Sequence, residues 1–131
     1  MLRVLVSGGR DWGKEEREVH AVERVIESLP NGSVVIEGEA RGADSLARDL
    51  ALARGLQVLR FPAKWKEHGP KAGPIRNQQM LDEGFPQVLI YFHDDLSQSR
   101  GTAHMVRAAL KAGVKTYRYD QWLSTGVGAK G

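Results

Sequence analysis

Short apolar runs alternate along the chain with longer segments whose apolar residues recur at helical spacing. The apolar runs predict five strands, over Leu2–Ser7, Ser33–Glu37, Leu56–Phe61, Gln87–Phe92 and Val114–Tyr117. The periodic segments predict four helices, over Glu15–Leu29, Ala43–Arg54, about Pro74–Asp82 and Thr102–Ala112. Strand and helix therefore alternate from one end of the chain to the other.

The predicted strands are apolar at consecutive positions rather than at alternate ones. A strand has this pattern when both of its faces are buried, as in a parallel sheet. Right-handed crossovers then place helices on both sides of an open sheet. We therefore predict an α/β fold with a Rossmann-like, doubly wound, mostly parallel five-stranded sheet and helices on both faces. For the strand order we expect 3-2-1-4-5, which the pattern by itself does not decide.

Length and composition limit the class of protein. The 131 residues suit one domain, which we place at residues 1–123, and the glycine-rich segment 124–131 predicts a flexible tail. The sequence has no cysteine, so disulfides and thiolate metal sites are excluded. We predict neither a cofactor nor a metal. Because no signal peptide or apolar span is visible, we expect a cytoplasmic protein with no membrane partner.

The charge of the chain gives little support to a nucleic-acid partner. The net charge is +3 and the pI is about 9.4. A basic pI is compatible with nucleic-acid binding. The excess is small, however, and acidic and basic residues alternate along much of the chain. The positions of the basic residues therefore carry more information than their number.

Segments rich in glycine or charge follow each of the first four predicted strands. In open α/β sheets, ligands bind outside the carboxyl ends of the strands, near the point where strand order reverses. We therefore predict that a phosphate-bearing, nucleotide-like ligand binds at this edge. The predicted ligand contacts are Ser7, Gly8, Gly9, Arg10, Asp11 and Trp12; Gly38, Arg41, Gly42, Ala43, Asp44 and Ser45; Arg76 and Asn77; and Arg100, Gly101 and Thr102.

Each of these residues also has a plain structural interpretation. The glycines can serve only tight turns, and Ser99, Thr102 or the Asp44-Ser45 pair can serve only as helix caps. A single arginine is usually solvated. Four arginines on one predicted edge nevertheless favour an anion site, because the guanidinium fork matches phosphate oxygens. For Trp12 and Trp65 we favour packing over stacking on a base.

Several familiar kinds of site are disfavoured. The glycines form neither G-x-G-x-x-G nor G-x-x-x-x-G-K-[ST], which argues against a classical NAD domain and a P-loop NTPase. Asp94 and Asp95 have only His93 nearby, so we expect solvated loop carboxylates there rather than a metal site. His104, in the first turn of the last predicted helix, is a further candidate for ligand contact.

Five stretches that run in order from Val6 to Val106 form a recognisable set. They are Val6-Ser7-Gly8-Gly9-Arg10-Asp11-Trp12, Glu37-Gly38-x-Ala40-Arg41-Gly42-Ala43-Asp44-Ser45-x-Ala47, Phe61-Pro62-Ala63-x-Trp65, Ala72-Gly73-Pro74-Ile75-Arg76-Asn77-x-x-Met80 and Gly101-Thr102-Ala103-x-Met105-Val106. Together they resemble the SLOG superfamily, and most closely its YspA-like, YpsA-related branch. The superfamily includes the DNA-processing protein DprA and the Lonely Guy phosphoribohydrolases. The resemblance implies a Rossmann-like fold, nucleotide-related ligands at this edge, and a homo-oligomer.

The catalytic signature of the Lonely Guy enzymes is incomplete in this chain. That signature is P-G-G-x-G-T followed by glutamate. Here Gly101-Thr102 is present, whereas His104 and Met105 stand where the glutamate would lie. The resemblance therefore implies phosphate binding at Gly101-Thr102 but supplies no catalytic glutamate. Other carboxylates on this edge are candidates for glycoside chemistry, namely Asp11, Glu37, Glu39 and Asp44, of which Asp44 is the first choice.

Three functions remain open at this point. The first is a binding or sensor module for a nucleotide-like ligand, which the glycine–arginine edge favours. The second is a nucleotide N-glycosidase or phosphoribohydrolase. The third is single-strand DNA binding of the DprA kind, which requires a basic groove and strong salt dependence and which the modest charge disfavours.

Overall fold

The protein is described here by a computed structural model over residues 1–125. Its centre is a five-stranded sheet in which all neighbouring strands are parallel. The strands are β1 (Arg3–Gly8), β2 (Val34–Glu37), β3 (Gln57–Arg60), β4 (Val88–Phe92) and β5 (Lys115–Arg118). Their order is β3-β2-β1-β4-β5. The predicted fold class and strand order are both confirmed.

Within residues 1–125, six α-helices connect or follow the strands. They are α1 (Glu16–Ser28), α2 (Ala43–Ala53), α3 (Trp65–His68), α4 (Ala72–Gly84), α5 (Arg100–Lys111) and α6 (Tyr119–Ser124). The sequence pattern did not predict α3 or α6, because one or two turns are too short to show a helical period. It also placed the starts of α4 and α5 too late. Arg100 and Gly101, predicted as loop residues, lie in the first turn of α5.

The helices form two layers, one on each face of the sheet. Val4 and Val6 of β1 pack with α1, α2 and α6, whereas Leu5 packs with α4 and α5. Successive side chains of a strand point to opposite faces, so each layer takes alternate residues of the same strand. This double burial explains why the strands are continuously apolar in sequence.

The strand order reverses beside β1. The chain passes from β1 through β2 to β3 on one side, and then crosses to β4 on the other. Gly8 pairs in register with Phe92, and the Gly9 N–H donates to the Phe92 carbonyl oxygen at 3.2 Å. Since the loops after β1 and β4 lead to opposite faces, a crevice opens between them at the carboxyl ends of the strands.

The predicted tail starts at the end of the last helix. Ser124 is the final residue of α6, and residues 126–131 lie outside the described residues, so the boundary at residue 124 stays a prediction. None of the helices in residues 1–125 has the length and apolar character needed to cross a lipid bilayer.

Candidate functional site

A cleft of about 740 Å³ lies at the carboxyl ends of the strands. The loops after β1, β2 and β4 line it, together with the first turns of α4 and α5. The predicted contacts that line it are Ser7, Gly8, Gly9, Arg10, Asp11, Trp12, Arg41, Asp44, Arg76, Asn77, Arg100, Gly101 and Thr102. The other four, Gly38, Gly42, Ala43 and Ser45, do not line it but shape the β2–α2 loop.

The β1–α1 loop and the start of α2 meet backbone to backbone. Gly42 has a φ of +81°, and a Cβ there would lie 2.6 Å from the Arg10 carbonyl oxygen and would also collide with that of Gly9. The Ala43 N–H donates to the Gly9 carbonyl oxygen at 3.3 Å. A Cβ on Gly8 would lie 2.5 Å from the Cβ of Ala43. These glycines therefore permit a close approach that larger residues would prevent.

Asp44 is a buried carboxylate that binds the loop preceding its own helix. Its side chain is 5% exposed, and Oδ2 accepts a hydrogen bond from the Gly38 N–H at 3.1 Å. Burial raises the pKa of Asp44 to about 6, although the Arg76 charge and hydrogen bonds from the Gly38 and Ala40 N–H groups oppose the shift. Ser45 turns toward the same loop, donating to the Ala40 carbonyl oxygen at 2.8 Å. Asp44 thus has a structural role in addition to its place in the cleft.

Arg76 connects α4 to the β2–α2 loop. Its guanidinium donates to the Gly38 carbonyl oxygen and, through Nε, to Asn77 Oδ1 at 3.0 Å. It also fills the space in which a Cβ on Gly38 would lie. Burial lowers the pKa of Arg76, and the charge of Asp44 opposes this. Two of the five guanidinium N–H groups are thereby engaged, which leaves others to face the cleft.

The orientation of Asn77 determines the protonation of His104. Asn77 is 3% exposed, and its Nδ2 lies 3.1 Å from His104 Nδ1 and 3.5 Å from the Gly101 carbonyl oxygen. Because arginine is only a donor, Oδ1 must face Arg76, so the amide NH₂ faces His104. Nδ1 is then an acceptor, and the ring proton is on Nε2. Burial and the charge of Arg107 lower the pKa of His104, which keeps the ring neutral at pH 7.

The start of α5 offers unpaired N–H groups to the cleft. Ser99 caps the helix: its Oγ accepts from the Thr102 N–H at 3.3 Å and donates to Thr102 Oγ1 at 2.8 Å. Within residues 1–125, the N–H groups of Arg100 and Gly101 have no acceptor. A helix N-terminus with free N–H groups and a favourable dipole attracts anions. The capping and anion-binding interpretations of this segment are therefore compatible.

The two tryptophans expected to pack differ in their surroundings. Trp12 is 7% exposed and packs against Phe92 and Tyr119 with centroid separations of 6.2 and 5.2 Å, in agreement with that interpretation. Trp65, by contrast, is 48% exposed. The guanidinium of Arg10 lies 5.6 Å from the centroid of its ring. Trp65 therefore packs on one side only and leaves nearly half of its surface exposed.

Asp94 is an exposed loop carboxylate, in agreement with the sequence-based expectation. It accepts hydrogen bonds from Arg17 at 2.9 Å and from the Tyr119 hydroxyl at 2.7 Å. These bonds lower its pKa. Asp94 therefore has a structural role in addition to its contact with solvent. Among residues 1–125, no group of three or more histidine, aspartate or glutamate side chains is arranged to hold a metal ion.

Glu37 is fully buried at the end of β2, behind the cleft rather than in it. Oε1 accepts from the Glu39 N–H at 2.6 Å, whereas Oε2 has no hydrogen-bond partner in the described part of the chain. Arg60 Nε lies 3.9 Å from Oε2. Burial raises the pKa of Glu37 to about 7. Its position at the end of an apolar run was the only sequence signal for this buried charge.

The sheet order and the cleft at its reversal define a Rossmann-like α/β protein. The chain belongs to the YspA, cpYpsA-related SLOG family, whose model matches residues 2–68, just over half of the chain. It is 36% identical over 124 residues to the Gene 61 protein of Mycobacterium phage D29, covering 91% of this chain and 97% of that protein. The resemblance inferred from the five motifs is therefore confirmed.

Two solved structures have a similar fold. DNA processing protein A (DprA) from Streptococcus pneumoniae matches with a TM-score of 0.68 and 19% identity, over 90% of this chain and 50% of that chain. The structural-genomics target TM1055 matches with a TM-score of 0.65 and 17% identity, over 88% of this chain and 72% of that chain. This chain spans only half the length of the DprA chain. Family membership indicates nucleotide-related binding or processing.

Proposed function

We propose that the chain binds a nucleotide or nucleotide-derived ligand in the cleft, with the ligand phosphate at the start of α5, and acts as a binding or sensor module. The observation that carries this proposal is that the N–H groups of Arg100 and Gly101, in the first turn of the 12-residue helix α5, have no acceptor within residues 1–125. Backbone N–H groups at such a position are suited to phosphate oxygens.

The charges around the cleft support the same ligand class. Arg10, Arg41 and Arg100 are exposed residues that line the cleft, and Arg76 lines it from a half-buried position. Asp44 is the buried carboxylate beside Arg76 and offsets part of that charge. Guanidinium groups bind phosphate oxygens in a bidentate manner. The cleft is thus suited to an anionic ligand, and its volume of about 740 Å³ is large enough to hold one.

The proposal is tested by calorimetric titration of the full chain with AMP, GMP, CMP and UMP. We expect Arg100→Ala to weaken binding by about tenfold or more, because a hydrogen bond to a charged group contributes about 1.5–3 kcal/mol. Lys111→Ala is the matched control, since it removes one exposed positive charge from the opposite end of α5. Equal losses in the two variants, or no binding by the unmodified chain, would contradict the proposal.

A nucleotide N-glycosidase is the second candidate, and the carboxyl of Asp44 favours it. This group lines the cleft, and with a pKa of about 6 it exchanges a proton near neutral pH, as a general acid must. In the hydrolysis, the bond between C1′ and the base nitrogen breaks, water supplies the hydroxyl to C1′, and the base nitrogen receives a proton. Incubation with nucleoside monophosphates should then release free base.

The variant Asp44→Asn separates the two candidates. An amide retains an acceptor oxygen for the Gly38 N–H but cannot donate a proton as an acid. If the chain is a hydrolase, this variant binds nucleotide and releases no base. Absence of release by the unmodified chain, with binding intact, excludes hydrolysis of the nucleotides tested and leaves the binding function.

A further inference from the structure

Trp65 is exposed inside the cleft, unlike the other two tryptophans. Trp12 and Trp122 are 7% and 2% exposed, whereas Trp65 is 48% exposed. The indole N–H of Trp12 donates to the Glu18 carbonyl oxygen and that of Trp122 to Ser28 Oγ. Within residues 1–125, the indole N–H of Trp65 has no acceptor. A large aromatic surface in a concave site is commonly a ligand contact.

The position of the Trp65 ring is set by the backbone around it. Trp65 is the first residue of α3, a single helical turn in the connection between β3 and α4. Its Cη2 atom lies next to Gly73 in the first turn of α4, where an added Cβ would be 3.5 Å away. The ring therefore lies directly on α4, and α4 also carries Arg76 and Asn77. This support holds the indole in the cleft without burying it in the core.

Arg10 lies over the ring from the other side of the cleft. The guanidinium is 5.6 Å from the ring centroid, and Arg10 belongs to the β1–α1 loop. Guanidinium and indole form a pair of planar groups, each of which stacks on aromatic rings. Arg10 is exposed and makes no hydrogen bond to protein within the described residues. It is therefore free to move aside and cover a planar group placed on the indole.

We propose that Trp65 and Arg10 form a nucleobase subsite, so that the ligand of the cleft is a nucleotide carrying an intact aromatic base and not a sugar phosphate. This inference rests on the proposed function, because it places the base of a nucleotide whose phosphate lies at the start of α5. Stacking on aromatic side chains tolerates different bases, since every base has a π-face. The subsite thus selects for the presence of a base rather than for its hydrogen-bonding pattern.

The test compares AMP with ribose 5-phosphate, which has the same sugar and phosphate but no base. Binding of AMP should quench the tryptophan fluorescence, because Trp65 is the exposed tryptophan, and ribose 5-phosphate should not. Trp65→Leu should weaken AMP binding by roughly 5- to 150-fold, the range that corresponds to loss of one stacked base. It should change the affinity for ribose 5-phosphate by less than about twofold.

Two further variants keep the test decisive. Trp65→Phe retains a ring and should recover much of the AMP affinity. Phe85→Leu, at a residue 70% exposed outside the cleft, is the control for removal of an exposed aromatic. If AMP and ribose 5-phosphate bind equally and Trp65→Leu affects neither, the base subsite is wrong while the phosphate site stands. If neither compound binds the unmodified chain, the proposed function fails and the subsite fails with it.

Discussion

Asn77 Nδ2 lies 3.1 Å from His104 Nδ1, and this contact links the buried part of α4 to the ligand side of α5. Because Arg76 holds the amide oxygen, the contact leaves the Nε2 proton of His104 as the ring's hydrogen-bond donor. The ring that lines the cleft is therefore a neutral imidazole whose donor is assigned to Nε2. The sequence had indicated His104 as a candidate for ligand contact but gave no sign of its contact with Asn77.

We predict that Asn77→Asp places a proton on Nδ1 of His104, the ring nitrogen that carries none in the unmodified chain. A carboxylate is only an acceptor, so His104 Nδ1 would have to carry a proton to keep the contact. The added negative charge should also raise the pKa of His104 above that in the unmodified chain. Nitrogen chemical shifts of the His104 ring, measured by NMR across a pH titration, report both changes.

Gln79→Glu is the control for Asn77→Asp, because Gln79 is on the same helix and makes no hydrogen bond to His104. An unchanged tautomer in Asn77→Asp would refute the hydrogen-bond assignment.

We predict that Gly42→Ala destabilises the chain more than Gly55→Ala. Both glycines have a positive φ, +81° and +84°, but nothing lies within 4 Å of a Cβ at Gly55, whereas one at Gly42 meets the backbone of the β1–α1 loop. Gly55→Ala should cost about 1–2 kcal/mol of backbone strain. Gly42→Ala should add about 1–3 kcal/mol from the collision. Urea unfolding measures both values, and similar losses would show that the two loops do not meet as described.

We predict that Glu37 makes the chain less stable as pH rises. Its pKa is about 7 in the folded protein against 4.5 ordinarily, so between these values the folded state binds more protons than the unfolded state. The free energy of unfolding then falls through this window, by roughly 3 kcal/mol at about 1.4 kcal/mol per pKa unit. The stabilisation that protonated Glu37 contributes is present at pH 4.5 and is lost above pH 7.

The difference in unfolding free energy between the unmodified chain and the variant Glu37→Gln isolates the titration of Glu37 from that of other groups. In Glu37→Gln the proton-dependent part disappears, so the difference in unfolding free energy between the two proteins should change by roughly that amount from pH 4.5 to 8. Glu83→Gln, which removes an exposed carboxylate from α4, is the matched control for the loss of one negative charge. A flat difference for Glu37→Gln would mean that its carboxyl titrates normally.

We predict that Asp44→Ala loosens the β2–α2 loop. It leaves the Gly38 N–H without its acceptor and Arg76 without its neighbouring negative charge, and an unsatisfied buried donor costs about 1–3 kcal/mol. Asp49→Ala, at an exposed position of the same helix, should change stability by less than about 0.5 kcal/mol. Hydrogen exchange of the Gly38 amide is the sensitive measurement. Exchange that is equally slow in both variants would show that the carboxylate does not hold the loop.

Much of the fold and part of the site could be predicted because they depend on local pattern. The β-α alternation and the glycine- and arginine-rich segments after the strands are properties of consecutive residues. Thirteen of the predicted contacts line one cleft, since parallel strands bring their carboxyl ends to a single edge. Whether a ligand binds there stays a prediction.

The remaining features depend on residues that are distant in sequence. No local signal shows that Asn77 meets His104, that Arg10 lies over Trp65, or that Asp94 accepts from Tyr119. These pairs form only when loops and helices from different parts of the chain meet at the sheet edge. The helices α3 and α6 are too short for a period, and their positions depend on packing against α4 and the sheet.

The sequence by itself determined the α/β class, the approximate limits of the strands and four of the helices, and the edge at which a site would form. The class and the element limits follow from hydrophobic periodicity, which reports how each segment is buried, and the edge follows from the glycine- and arginine-rich segments after the strands. Only the tertiary structure decided that Trp65 is exposed, that Glu37 is buried with one oxygen lacking a hydrogen bond within residues 1–125, and that His104 is protonated on Nε2. Exposure, pKa and tautomer depend on which atoms surround a group, and those atoms come from separate parts of the chain.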